Sequence, residues 1–184
     1  MVTAIEAELS FDYLRDIARK IRDGSTNDYR QYWNHDKENK KLSKPKPEND
    51  CRDILLSDLN ERLGVLHIDA QREGNYADDK RADIRVSFDG AHGLNVPVEI
   101  KKDSHRDIWS AIQEQLIKKY IRDPGADGHG IYLVFWFGGT GLPSPSDGSR
   151  KPRNAQELEE RLRQILSPEE RHRILVCIID CALP

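Results

Sequence analysis

From Gly130 to Phe137 the chain reads Gly-Ile-Tyr-Leu-Val-Phe-Trp-Phe, eight residues without a charge. A strand wet on one side alternates apolar and polar residues, whereas a run that is apolar throughout expects cover on both faces. The run is far shorter than the roughly 20 residues a membrane-spanning helix needs. It therefore predicts an interior strand of a sheet with helices above and below. The tail Arg173 to Ile179, with Ile-Leu-Val-Cys-Ile-Ile at its centre, predicts a second buried strand.

The rest of the chain supplies those covering helices. Ile5, Leu9, Tyr13, Ile17 and Ile21 recur at four-residue steps and predict a first helix ending near Gly24. Residues 25–47 are polar and proline-terminated, which predicts a loop or flexible connector and a boundary between residues 1–46 and a main domain at 47–184. Pro47 suits the start of a second helix, with Glu48, Asp50 and Asp53 at its positive end. Its buried stripe is Cys51, Ile54, Leu55, Leu59 and Leu63, and Gly64 ends it. A strand over about residues 65–72 follows, then a polar turn. Ile108, Trp109, Ile112, Leu116 and Tyr120 predict a helix capped by Ser104 and stopped at Asp123-Pro124-Gly125. Gly138 to Pro152 is a loop, and Leu158, Leu162, Ile165 and Leu166 mark a last helix. The fold class is α/β: a mixed central β-sheet flanked by helices.

Composition narrows the function classes. The chain has 184 residues, a third of them charged, 37% hydrophobic, with a net charge of −3. That fits one soluble, cytoplasmic domain with no membrane partner. Three scattered cysteines do not make a disulfide framework, and Cys177 and Cys181 sit in apolar sequence as buried thiols. The six histidines show no paired ligand spacing, which argues against zinc. Gly138-Gly139-Thr140-Gly141 lacks the Gly-Lys-Ser/Thr ending of a nucleotide-binding loop. An acidic chain is no general magnet for nucleic acid, so a polyanion would be held by local patches or by a metal.

The chemistry lies between two alternating runs. Arg81 to Val86 and Asn95 to Lys101 read as half-buried strands, separated by the turn Asp89-Gly90-Ala91-His92-Gly93. Strand period is two, so Glu99 and Lys101 share a face roughly 6–7 Å apart, and an antiparallel partner would bring Asp83 beside them. Two carboxylates and an ammonium can hold a divalent cation and position a water. Without a cation the acids repel, which predicts a raised carboxyl pKa. The triplet alone says little. Glu38-Asn39-Lys40 has the same form, and a solvated strand face is the plain alternative.

Context changes that weight. Glu48 on a helix, Asp83 on the second strand and Glu99-Ile100-Lys101 on the third resemble the PD-(D/E)XK nuclease superfamily over about Pro47 to Ile179. The resemblance implies a restriction-endonuclease-like α-β-β-β-α-β core. It further implies Mg²⁺, with Mn²⁺ able to substitute, held by Asp83, Glu99, the Ile100 carbonyl and Glu48. Lys101 would position or deprotonate the attacking water. Ala82 stands where the family name puts proline. Gln115 and Lys119, four apart, would share a helix face toward the site, while the Gln115-to-Tyr120 spacing is one residue longer than in the RecB-like branch. Lys102 and Lys119 would touch nucleic acid; Lys118 and Arg150-Lys151-Arg153 are further basic candidates. The implied activity is a metal-dependent endonuclease, DNA ranked above RNA, serving bacterial defence or repair as a homodimer or part of a larger assembly. The rival is an inactive nucleic-acid-binding or protein-interaction module. In it Glu48 is a helix-dipole acid, and Gln115 and Lys119 are exposed helix surface.

Overall fold

The computed structural model describes residues 2–36, 38, 41–76, 80–88 and 93–184. Most of the predicted turn 89–93 and the tip of the turn after residue 76 lie outside them. Five strands form one sheet in the order β3-β4-β5-β6-β7. They are β3 (Ile68–Tyr76), β4 (Lys80–Phe88), β5 (Asn95–Lys102), β6 (Gly130–Trp136) and β7 (Ile174–Asp180). The first three run antiparallel, and β5, β6 and β7 run parallel. Parallel neighbours need a crossover. Here one crossover carries a π-helix, Ile112–Tyr120, and the other an α-helix, α3 (Ala155–Ile165).

Helices cover both faces, as the apolar β6 demanded. On one face α1 (Val2–Asp23) and α2 (Glu48–Leu63) pack over Val86, Val98, Ile100, Leu133 and Ile179. On the other, the π-helix and α3 pack over Tyr132, Val134, Trp136, Val176 and Ile178. Gly130 lets the π-helix come close: a Cβ there would stand 2.7 Å from Ile121 Cγ2 and 3.0 Å from Leu116 Cδ1. All three cysteines are buried and free. Burial pushes the Cys51 and Cys177 thiols up to about 12, so neither is a thiolate nucleophile near neutral pH.

Three local expectations change. The buried face of α1 is Ala7, Phe11, Leu14, Ile17 and Ile21, while Ile5 is 66% exposed. A four-residue step overshoots a helical turn by about 40°, so from Ile5 to Ile21 the direction rotates about 160° and one stripe cannot hold all five. The stretch 25–47 is also more ordered than its composition suggests. It holds a 3₁₀ turn at Asp28–Tyr32 and a hairpin of β1 (Trp33–His35) and β2 (Leu42–Pro45). Finally, the chain after Leu63 makes a 3₁₀ turn before β3 begins, and His67, not Gly64, takes the left-handed conformation at φ 57°.

A two-stranded hairpin is marginal by itself in water, so its anchors explain it. Tyr32 and Trp33 are buried, and the Trp33 indole N–H donates to the Cys181 carbonyl at 2.7 Å. Trp33 meets Phe137 edge-on and Tyr32 tilts against Phe135. The same apolar cluster contains α1, Tyr32, Trp33, α2 and the sheet, so the core runs across residue 46 without a break. Trp33→Phe keeps the ring but leaves a buried carbonyl unpaired. The expected loss is about 1–3 kcal/mol, read as a lower urea midpoint with an unchanged slope; an unchanged midpoint would remove the bond from the account.

Candidate functional site: an acidic cluster around a buried lysine

β5 is the strand where antiparallel pairing meets parallel pairing, and six consecutive residues of it are buried. Val96, Val98 and Ile100 enter the core under α1 and α2. Glu99 and Lys101 therefore point to the opposite face, where Glu99 pairs in register with Tyr132 and Lys101 with Val134. Ile84 pairs with Val98 where the β4–β5 register ends, and Asp83, one residue earlier, lies near enough to Glu99 and Lys101 for its charge to act on both.

Their bonds are specific. Glu99 is 2% exposed and Lys101 5%. The Lys101 ammonium donates to Glu99 Oε1 and, at 2.9 Å, to the Ile100 carbonyl. Asp83 Oδ2 accepts from the Ile100 backbone N–H at 2.8 Å. Glu48, in the first turn of α2, reaches across with Oε2 and accepts from the Lys102 N–H at 2.9 Å. Two carboxylates from separate elements thus clamp the backbone of β5 on either side of Lys101.

Electrostatics ties the cluster together. Burial raises the Glu99 carboxyl to about 7; Lys101 opposes that, and the charges of Asp83 and Glu48 reinforce it. Burial by itself would lower the Lys101 pKa, but Glu99, Asp83 and Glu48 outweigh it and hold the ammonium above the ordinary lysine value. The expected carboxyl rise is present at Glu99. Among the described residues no three His, Cys, Asp or Glu side chains form a group that could hold a metal ion as they stand. The donor set nevertheless suits a hard cation: carboxylate and carbonyl oxygens, with three acids around one ammonium.

The covering helix alters one expected pairing. Its hydrogen bonds reach five residues back, as in Ile121 N–H to the Leu116 carbonyl at 3.1 Å. The buried residues of the helix are Ile112, Leu116 and Tyr120, so its inward side carries Tyr120 and not Lys119. Lys119 is exposed and Gln115 half-buried. Tyr120 is 7% exposed, and its hydroxyl is pushed up by burial and by the charges of Glu99 and Asp83. The sequence places Tyr120 in the helix's apolar stripe but assigns it no part in the site, where its hydroxyl feels the charges of Glu99 and Asp83. Lys102 turns inward, with Nζ 2.9 Å from the Lys46 carbonyl and 5.3 Å from the centre of the Phe137 ring. Asp103 was not anticipated either. It is 1% exposed and its Oδ2 accepts from the N–H groups of Phe137 and Gly139 at 2.8 and 2.9 Å, fixing the loop beyond β6.

A family model described as "Domain of unknown function (DUF8371)" matches residues 11–139. The chain belongs to this family. No curated protein and no solved structure matches it. The DUF8371 match takes in Glu48, Asp83, Glu99, Lys101 and the π-helix, and ends before α3 and β7.

The Glu99 shift has a consequence for stability. Between its ordinary value of 4.5 and about 7 the folded chain holds a proton on Glu99 that the unfolded chain has released. Stability from this group is thus greatest below the window and falls as pH rises through it. Glu99→Gln removes that dependence. The difference in unfolding free energy between wild type and E99Q should therefore change by up to about 3 kcal/mol across the window, with wild type losing ground as pH climbs. Parallel curves from urea titrations across this range would show that Glu99 keeps an ordinary pKa.

Proposed function

We propose that this domain is a Mg²⁺-dependent endonuclease of restriction-endonuclease-like core, cutting phosphodiester bonds in DNA in preference to RNA. The observation that carries the reading is the gathering of three acids around one short stretch of β5, Glu99 on Lys101, Asp83 on the Ile100 N–H and Glu48 on the Lys102 N–H, with Glu99 raised to about 7 by burial and by its fellow acids. A purely structural ion pair needs one acid for one ammonium. The surplus negative charge in a nearly closed site is what a divalent cation would neutralise. Asp83, Glu99, the Ile100 carbonyl and Glu48 are the groups that would hold Mg²⁺ or Mn²⁺. Such an ion supplies charge neutralisation to the phosphodiester and to its transition state.

The chain's own residues do the rest. Lys101 stays protonated because three acids hold its pKa up, which favours a role as hydrogen-bond donor and orienting group over one as proton acceptor. It can fix a water or a phosphate oxygen at the Glu99 side of the strand. Tyr120, whose hydroxyl likewise keeps its proton, offers a second donor from the π-helix. That helix, with Tyr120 on its buried side, walls the cluster from bulk water and strengthens each charge interaction inside it.

A second reading has its own support. Lys101 Nζ already occupies Glu99 and the Ile100 carbonyl, and both side chains are almost wholly buried, as in a structural ion pair of an interaction module. The two readings part on metal and turnover. Incubated with supercoiled plasmid and single-stranded substrates, the wild type should cut with Mg²⁺ or Mn²⁺ and stop in EDTA. Lys101→Met should slow cutting by about 10²–10⁴-fold. Asp83→Ala should abolish it with an unchanged circular dichroism spectrum. Calorimetric Mn²⁺ affinity should rise with pH through about 7, because Glu99 must give up its proton to act as a ligand. Absent Mn²⁺ binding together with absent cleavage would favour the interaction module.

A further inference from the structure

The β1–β2 hairpin ends beside the acidic cluster. Residues 33–46 carry five lysines, Lys37, Lys40, Lys41, Lys44 and Lys46, against Asp36 and Glu38. This local excess of positive charge sits in a chain whose net charge is −3. The strand β2 leaves the hairpin at Pro45, and the next residue, Lys46, accepts the Lys102 ammonium on its carbonyl at 2.9 Å. The Lys102 backbone N–H in turn donates to Glu48 Oε2. Two hydrogen bonds therefore separate Lys46 from a carboxylate of the cluster.

The geometry points to a function for this arm: the ammonium groups of Lys44 and Lys46 grip the sugar-phosphate backbone of a nucleic acid presented to the cluster. The inference rests on the hydrolase reading for what enters the site, and on the hairpin itself for how it is held. Three observations support it. First, several basic groups are matched to acids, Arg150 and Arg153 to Glu157, Lys118 to Glu114 and Arg72 to Asp53, whereas among the described residues the exposed Lys119 and Lys151 are in no ion pair. Among the described residues no ion pair engages Lys44, which is exposed, or Lys46, which is half-buried. Second, the arm is fixed at its base. Tyr32 accepts the Lys46 N–H on its carbonyl at 2.9 Å, and the neighbouring Trp33 is pinned to Cys181. Its lysines thus stand at a set distance from Glu48. Third, three acids repel a polyanion, and only positive charge close to them can offset that repulsion at the point of entry. In the Arg150–Arg153 stretch both arginines share Glu157, which offsets part of its positive charge.

Phosphate contacts leave a signature in salt dependence. Anisotropy of a fluorescein-labelled DNA duplex of about 20 base pairs, and of its RNA counterpart, is measured in EDTA from about 50 to about 200 mM salt. The K44A/K46A variant should bind roughly tenfold more weakly at the low end. Its log–log salt slope should be flatter by about 2, one unit for each lysine lost. K44R/K46R should retain both affinity and slope, and Arg150→Ala should match wild type. If the alanine pair loses its circular dichroism signal, K44Q/K46Q carries the same expectation. A wild-type slope in the folded charge-removed variant, or no binding of either duplex by wild type, overturns the inference. EDTA keeps hydrolysis out of the readout, so D83A should bind at least as tightly as wild type. Binding that depends on the hairpin, in a protein that never cuts with Mg²⁺, sinks the hydrolase reading and leaves the clamp standing. Cleavage by wild type, with a wild-type slope in the hairpin variant, sinks the clamp alone.

Discussion

A carboxylate and an ammonium lie side by side on the central strand, at 2% and 5% exposure, and the arrangement around them follows from that burial. Removing both charges from water costs several kcal/mol each after relaxation, and their attraction returns this only with good geometry and further hydrogen bonds. Lys101 therefore uses the Ile100 carbonyl as well as Glu99. The strand's own N–H groups are not left open either: Asp83 takes that of Ile100 and Glu48 that of Lys102. β4 and α2 are thereby tied to β5 at the same point, from the two sides of the sheet. The position of α2 over the sheet, and of the hairpin leading into it, depends on this polar knot as well as on the apolar face beneath.

The sheet explains why such a knot is tolerable. β5 pairs with β6 from Val98 to Lys102 but with β4 only as far as Val98, and beyond that point carboxylates in place of a strand take the N–H groups of Ile100 and Lys102. Val96, Val98 and Ile100 bury toward α1 and α2, which leaves the other face free to carry charge under a single covering helix. A π-helix suits that task. It presents Tyr120 beside Glu99 and Asp83, on the buried stripe of Ile112 and Leu116, while Lys119 stays at the surface.

Much of this was legible in the chain because it depended on period. The apolar β6 and β7 demand cover on both faces, and period two in β5 puts Glu99 and Lys101 on one side. What was not legible depended on geometry outside the simple periods. A four-residue step imitates a helical stripe over two turns and fails over four, so Ile5 was assigned to a core it does not enter. The hairpin at residues 33–45 is polar by composition and held by two aromatic anchors far away in sequence, Cys181 and Phe137 among their partners. The π-helix keeps the buried stripe Ile112, Leu116 and Tyr120 that an α-helix would have, and only its hydrogen bonds five residues back set it apart. Asp103 carries no motif at all; its role comes from N–H groups 34 and 36 residues onward.

The question of why Asp83 and Glu48 face inward separates the two functional readings on physical grounds. Replacing a buried ion pair with well-packed apolar residues is often neutral or stabilising, so burial of Glu99 with Lys101 is weak grounds for a stabilising role. Adding two further carboxylates makes the metal-free cluster worse: they push Glu99 toward a neutral state in which part of the attraction to Lys101 is lost. Either acid could have been an asparagine or glutamine, whose side-chain oxygen also accepts a backbone N–H without bringing charge. Stability alone does not call for three acids here, whereas the proposed cation site would use them and would need an electropositive approach for a phosphate chain close by. The lysine-bearing hairpin, held firmly at its base and ending two hydrogen bonds from Glu48, stands where that approach would have to be.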